Sequence, residues 1–219
     1  SSAASDVYKR QIYILFFFPV WVTAQTYKYI GTEDGLSNRR IFSIQKDDQG
    51  YMWFLTDEGM DRYNGKDIKH YKLNKDDSTL EASIHLGWIY TRPHIGTWVI
   101  GKQGRIFQYE LKYDDFKMVY KLPNSLETIS YGYMDNNDNI WLCRKHSILL
   151  YNAGDARIVQ FPNILHSNIT AITQVDEHHF FIATETGIRY ARLENGELEI
   201  IPVAVSYTHL RAHETDQYL

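Results

Sequence analysis

The sequence predicts an all-β fold, a partial β-propeller of about four four-stranded antiparallel blades. An aromatic anchor recurs at Trp53, Trp98, Trp141 and Phe181, at spacings of 45, 43 and 40 residues. In three of the four units a glycine follows the anchor six residues later, at Gly59, Gly104 and Gly187. Tyrosine is abundant (17 residues) and proline scarce (5), and runs with apolar spacings of three and four are hard to find, which favours strands over helices. Self-similarity at a fixed period marks a repeat architecture, and one aromatic anchor per unit separates a propeller from a sandwich.

The first unit, residues 41–63, reads IFSIQKDDQGYMWFLTDEGMDRY: an apolar strand, an Asp/Gly turn, an aromatic strand around Trp53, then Gly59 and Tyr63. It recurs at 88–109, 129–151 and 169–190. The Asp/Asn/Gly clusters at 47–50 and 135–139 tolerate left-handed backbone and suit hairpin turns. Gly59, Gly104 and Gly187 are placed to make the next turn. Fourth strands are predicted at 68–73, 116–122, 157–161 and 198–203. The blades so drawn span about 37–80, 81–124, 125–163 and 164–203, within a propeller segment of 25–203. The four anchors are expected to be largely buried at equivalent second-strand positions. Residues 27–30 (YKYI), just before the first blade, are expected to be an edge without its partner.

The flanks read differently. Residues 1–11 (SSAASDVYKRQ) and 205–219 resemble translated transposase sequencing adaptors, the codons for 6–11 regenerating those for 205–209 on reverse complementation. Both are expected to be artefact rather than native protein. Residues 12–22 (IYILFFFPVWV) form an apolar run too short to span a bilayer, followed by small residues that suit cleavage before Gln25. Residues 12–24 are therefore expected to be a truncated signal peptide, and the compartment periplasmic.

The formal net charge is −4, and the charges of the two adaptor-like ends cancel, so the native part keeps that value. A mildly acidic chain without a Lys/Arg run does not suit phosphate backbones, so nucleic acid is set aside as a partner. Cys143 is the one cysteine. It permits no intrachain disulfide and no cysteine zinc cluster, and after Trp141 and Leu142 it reads as a buried small apolar residue.

Catalytic signals are missing from the pattern. Residues 135–139 (DNNDN) look like the start of a calcium loop, but Ile140 stands where glycine is needed and His146 where the bidentate glutamate belongs. They read as an Asx-rich hairpin. His178 and His179 are adjacent on a strand and point to opposite faces, so they do not readily chelate one ion. Carboxylate pairs such as Asp114-Asp115 read as solvated turn residues. No catalytic, metal-binding or cofactor-binding residue is nominated, no cofactor is expected, and the ligand-binding residues stay unassigned.

The pattern Asp48-x-Gly50-x-x-Trp53-x-x-Thr56-x-x-Gly59, preceded by residues 33–37 (EDGLS), resembles the two-component-regulator propeller repeat. The connections at 77–80 (DSTL) and 124–126 (NSL) also fit. Blade 2 departs from the pattern with Arg92-Pro93-His94 in place of the acidic turn, and blade 3 with Lys145-His146-Ser147 in place of the Thr-to-Gly segment. The resemblance implies the periplasmic sensor region of a hybrid two-component histidine kinase of gut Bacteroidetes. Its parent would bind an oligosaccharide outside, work as a homodimer, and span the inner membrane ahead of a kinase core. This segment itself would be no enzyme. Two rival classes are an exported propeller lyase or hydrolase, which needs clustered acid and base residues facing the axis, and an exported interaction scaffold with no kinase.

Overall fold

The structure, a computed structural model, describes residues 27–73, 86–123 and 128–202. The expected signal peptide, both adaptor-like ends and the connections at 77–80 and 124–126 lie outside the described residues. Residues 27–30 form no strand, and Tyr27 and Tyr29 are exposed.

From Gly31 onward the described chain is almost entirely strand. Blade 1 comprises β1 (Ile41–Lys46), β2 (Met52–Thr56), β3 (Gly59–Tyr63) and β4 (Ile68–Tyr71). Blade 2 comprises β5 (Leu86–Arg92), β6 (Gly96–Gly101), β7 (Arg105–Glu110) and β8 (Asp115–Lys121). Blade 3 holds β9 (Tyr131–Met134), β10 (Asn139–Cys143), β11 (Ser147–Asn152) and β12 (Ile158–Pro162). Blade 4 holds β13 (Ile169–Gln174), β14 (His179–Thr184), β15 (Gly187–Glu194) and β16 (Glu197–Ile201). Each blade is one sheet in which the strands pair antiparallel in chain order. The first strands adjoin in series, β1 against β5, β5 against β9 and β9 against β13, which is how propeller blades gather around an axis.

The ladder register makes the repeat explicit. Trp53 pairs with Arg62, Trp98 with Gln108, Trp141 with Leu150 and Phe181 with Tyr190. All four anchors thus hold one position, in the middle of the second strand opposite the third. Side chains alternate across a strand, so each blade has two faces. The trailing face carries the anchor and turns toward the next blade; the leading face carries the residue after the anchor and turns toward the previous one.

Three apolar cores lie between blades, each joining a trailing face to a leading face. Trp53, Leu55 and Met60 meet Ile89, Val99 and Phe107. Trp98, Ile100 and Ile106 meet Ile140, Leu142 and Leu149. Trp141, Cys143, Ile148 and Leu150 meet Ile172, Phe180 and Ile182. Full burial of each such side chain contributes about 1.5–3 kcal/mol relative to leaving it in water. These joints hold the blades together. Burial pushes the Cys143 thiol above its ordinary pKa, so it is an inert core residue.

One expectation needs correction. Trp53, Trp98 and Trp141 are fully buried, but Phe181 is 45% exposed. It keeps the anchor position, yet it sits on the trailing face of blade 4, where no further blade packs among the described residues. The buried phenylalanine of that strand is its neighbour Phe180, which turns back onto Trp141 with ring centroids 4.9 Å apart.

Candidate functional site

The first-to-second and third-to-fourth strand turns of every blade fall on one side of the sheets, and the clefts of the molecule open among them. Their chemistry begins with how each turn is built. In blade 1, Asp47 accepts hydrogen bonds from the Tyr51 N–H (2.9 Å) and from the Trp53 indole Nε1–H (2.8 Å). In blade 3, Asp135 accepts from the N–H groups of Asn137 and Asn139, from the Asn139 side chain, and from Trp141 Nε1 at 2.8 Å. The calcium-like DNNDN run is therefore an Asx turn whose first carboxylate is occupied with backbone and indole donors. An acidic turn residue satisfies the polar atom of the buried tryptophan, which would otherwise be costly to bury.

The two divergent blades follow the same logic. Blade 2 has no aspartate in this turn, and Trp98 Nε1 donates instead to the Ile95 carbonyl at 2.9 Å. Blade 4 has no indole, and Asp176 accepts from the N–H groups of His178 and His179 and pairs with His179 Nδ1 at 2.8 Å. His179 then stacks on Tyr190, with centroids 5.4 Å apart and planes within 9°.

Two open clefts flank these turns. One, about 200 Å³, lies between blades 1 and 2 and is lined by Asp48, Tyr51, Thr91, Arg92, Tyr109 and Leu111 among others. The other, about 480 Å³, lies between blades 3 and 4, with Leu150, Val159 and Leu193 beneath a rim of Asn137, Asn152, Arg157 and His178. At the corresponding joint of blades 2 and 3, His94 Nε2 meets Asp138 Oδ2 at 2.6 Å and Arg92 donates to the Met134 carbonyl.

Beside the first cleft sits a cluster that the sequence did not reveal. Asp114, in the turn between β7 and β8 at φ +48, was expected to be a solvated turn residue. Its carboxylate instead reaches across to blade 1 and accepts from Arg62 Nη1 (2.9 Å), Lys69 Nζ (2.5 Å) and Tyr71 Oη (2.7 Å), as well as from Tyr109 Oη (2.6 Å). The Arg62 guanidinium lies over Tyr51 and near the rings of Trp53, Tyr71 and Tyr109. Partial burial alone would raise the Asp114 pKa, but the bonds from Lys69, Tyr109 and Tyr71 and the charge of Arg62 outweigh it and hold the group well below the usual carboxylate range. Burial, reinforced by bonding to Asp114, pushes the Tyr109 phenol up to about 12 and that of Tyr71 higher still. The partners stand about fifty residues apart in sequence. Only the blade-to-blade offset of the repeat could have brought them together on paper.

The leading face of blade 1 is fastened differently. Asp61, fully buried, accepts from the Ser37 N–H and from Ser37 Oγ, both at 2.8 Å, and meets His70 Nδ1 at 2.7 Å. These are the residue types of a hydrolytic triad in the wrong order. In a triad the imidazole stands between hydroxyl and carboxylate and takes the hydroxyl proton. Here the carboxylate stands between, so Ser37 is held and not activated. Among the described residues no group of three His, Cys, Asp or Glu side chains is arranged to hold a metal ion.

The glycines Gly59, Gly104 and Gly187 each open a third strand or its turn with positive φ (+138, +73 and +127). At Gly59 an added Cβ would collide with the Tyr71 carbonyl oxygen; at Gly187 it would meet only the end of Arg189, at 3.3 Å. Thr56 Oγ1 and Thr184 Oγ1 donate to the carbonyls of Gly59 and Gly187 respectively, one device used twice.

Radially adjoining four-stranded blades with one repeated anchor define a β-propeller, in partial form here. Residues 35–58, most of β1 to β3 with the strap before them, match the family model described as Two component regulator propeller. No curated protein matches the chain in sequence. The fold is similar to those of two extracellular domains described as belonging to hybrid two component systems of B. thetaiotaomicron. One is 18% identical with a TM-score of 0.61, over 80% of this chain and 26% of that domain. The other is 20% identical with a TM-score of 0.62, over 81% of this chain and 23% of that domain. This chain therefore spans about a quarter of each. It is also similar in fold to virginiamycin B lyase from Staphylococcus aureus, at 20% identity and a TM-score of 0.57, over 77% of this chain and 58% of the lyase.

Proposed function

We propose that this chain is part of the periplasmic sensor region of a hybrid two-component histidine kinase, responsive to an oligosaccharide. The observation that carries the reading is the matched repeat at 35–58, because its residues do identifiable work in blade 1. Leu36 is buried, Ser37 binds Asp61 and Thr56, Asp47 holds the Trp53 indole, and Thr56 closes onto Gly59. The fold shared with extracellular domains of hybrid two component systems supports export. In this reading the blades form a rigid outer receptor. Ligand binding would favour one arrangement of a paired ectodomain over another and so bias the kinase equilibrium inside the membrane.

A propeller lyase shares the fold, but the chemistry here points elsewhere. The His–carboxylate pairs His70–Asp61, His94–Asp138 and His179–Asp176 tie strands and turns. Among the described residues, none of those imidazoles is bonded to a serine, threonine or cysteine side chain.

Calorimetry of plant and host oligosaccharides against this chain and against the full ectodomain tests the proposal. Binding by the ectodomain alone is expected, since four blades offer only part of a ligand surface. Silence from the ectodomain across the panel would overturn the glycan reading. Tight stoichiometric binding by this chain alone would place the site within these four blades.

A further inference from the structure

We infer that this chain associates with copies of itself head to tail, the trailing face of blade 4 in one copy seating on the leading face of blade 1 in the next. The inference comes from register and is independent of the sensing proposal. Each internal joint uses one trailing face and one leading face, and the chain carries one further half of each kind. On blade 4, Phe181 and its neighbour Ile188 occupy the positions of Trp53 and Met60, which are fully buried against blade 2, yet they are 45% and 68% exposed. Tyr190, opposite Phe181 and 5.0 Å from it between ring centroids, extends the same patch.

On blade 1, Ile44 pairs with Phe54 just as Ile172 pairs with Ile182 in blade 4 and Ile89 with Val99 in blade 2. Ile89 and Ile172 are buried by the preceding blade, whereas Ile44 is 50% exposed and Phe42 beside it is also exposed. The outer part of this face is closed by Ser37 on Asp61, so the open part is the inner strand. That is where successive blades make their first-strand contacts. The two open halves therefore match in chemistry and in place along the strand, and the contact continues an interface the molecule already makes three times. A joint between unlike faces does not close on itself in a pair and adds copies until a ring shuts. In a longer chain, flanking blades would take the same two faces.

The test is sedimentation velocity and light scattering on the full chain from low micromolar upward, with Phe181→Asp, Ile188→Asp and Ile44→Asp. The parent chain is expected to show mass rising with concentration beyond a dimer. Each single variant should run as a monomer with unchanged circular dichroism, because every contact needs both faces. Mixing Ile44→Asp with Phe181→Asp should restore one contact per pair and stop at a heterodimer. A parent chain monomeric throughout would overturn the inference and leave the faces to flanking blades. Association that survives Ile44→Asp but not Phe181→Asp would overturn it in favour of a symmetric contact between two blade 4 faces. Association that survives all three variants would also overturn it.

Discussion

Trp141 in blade 3 and Phe181 in blade 4 stand at the same point of the same repeat, and their surroundings differ completely. Trp141 is sealed between blades, its ring on Phe180 and its indole N–H on Asp135. Phe181 faces outward beside Tyr190 and His179, and the aspartate of its turn caps histidine instead. A blade's position in the series decides which of its residues are core. Each blade's own sequence decides only which residues are available to be core. Blades 1 and 2 make the same point from the other end: Ile89 is buried and its counterpart Ile44 is not.

The largest effect should come from emptying an internal joint. Trp53→Ala removes a fully buried ring packed among Tyr71, Tyr109 and Phe116, and should cost about 3–5 kcal/mol in urea unfolding. A loss below about 1 kcal/mol would show that the blade 1–2 joint contributes little. Next comes a contrast between equivalent glycines. Gly59→Ala must relieve a backbone collision as well as an unfavourable φ, whereas Gly187→Ala faces the φ strain alone, about 1–3 kcal/mol. Thermal denaturation of the two variants should therefore rank Gly59→Ala as the more damaging.

Asp135→Ala should cost about 1–3 kcal/mol, because it leaves the buried Trp141 N–H and two turn N–H groups without their acceptor. Its fluorescence spectrum should shift as the indole loses that partner. In contrast, Asp176→Ala should cost less, since its donors are solvent-exposed.

The smallest effect concerns pH. The folded-state pKa of Asp114 is depressed, so its contribution is present above the unfolded carboxylate value of about 4 and is lost as pH falls below that toward the folded value. The phenol of Tyr109 is raised, so its contribution is present below about 10 and fades as pH climbs toward 12. Asp114 is partly exposed, and the acid-side change should be correspondingly modest. Stability curves of the parent chain and Asp114→Asn should converge below pH 4 and separate above it. Parallel curves across the whole range would mean that the cluster does not couple to folding.

The fold was legible because its signals are local. Trp53, Trp98 and Trp141, the turn clusters before them and the glycines after them all lie within one blade, where spacing along the chain maps directly onto position in a sheet. The four fourth strands were placed to within two residues at either end. What escaped depends on neighbouring blades. Asp114 looked like a turn residue because its partners Arg62, Lys69 and Tyr71 belong to another repeat. Phe181 looked buried because burial was inferred from the repeat and not from what stands next to it. The Arg92-Pro93-His94 departure in blade 2 became intelligible only when a backbone carbonyl was seen to replace the missing carboxylate.

The claim that joints, not blades, make the core is tested most directly by measuring the unfolding free energies of Trp141→Ala and Phe181→Ala in urea. Both should be taken at protein concentrations low enough to keep every copy apart. Loss of about 3–5 kcal/mol at Trp141 and about 1 kcal/mol or less at Phe181 is the predicted result. Equal losses at the two positions would contradict the account, since the repeat position alone would then set the contribution of the residue.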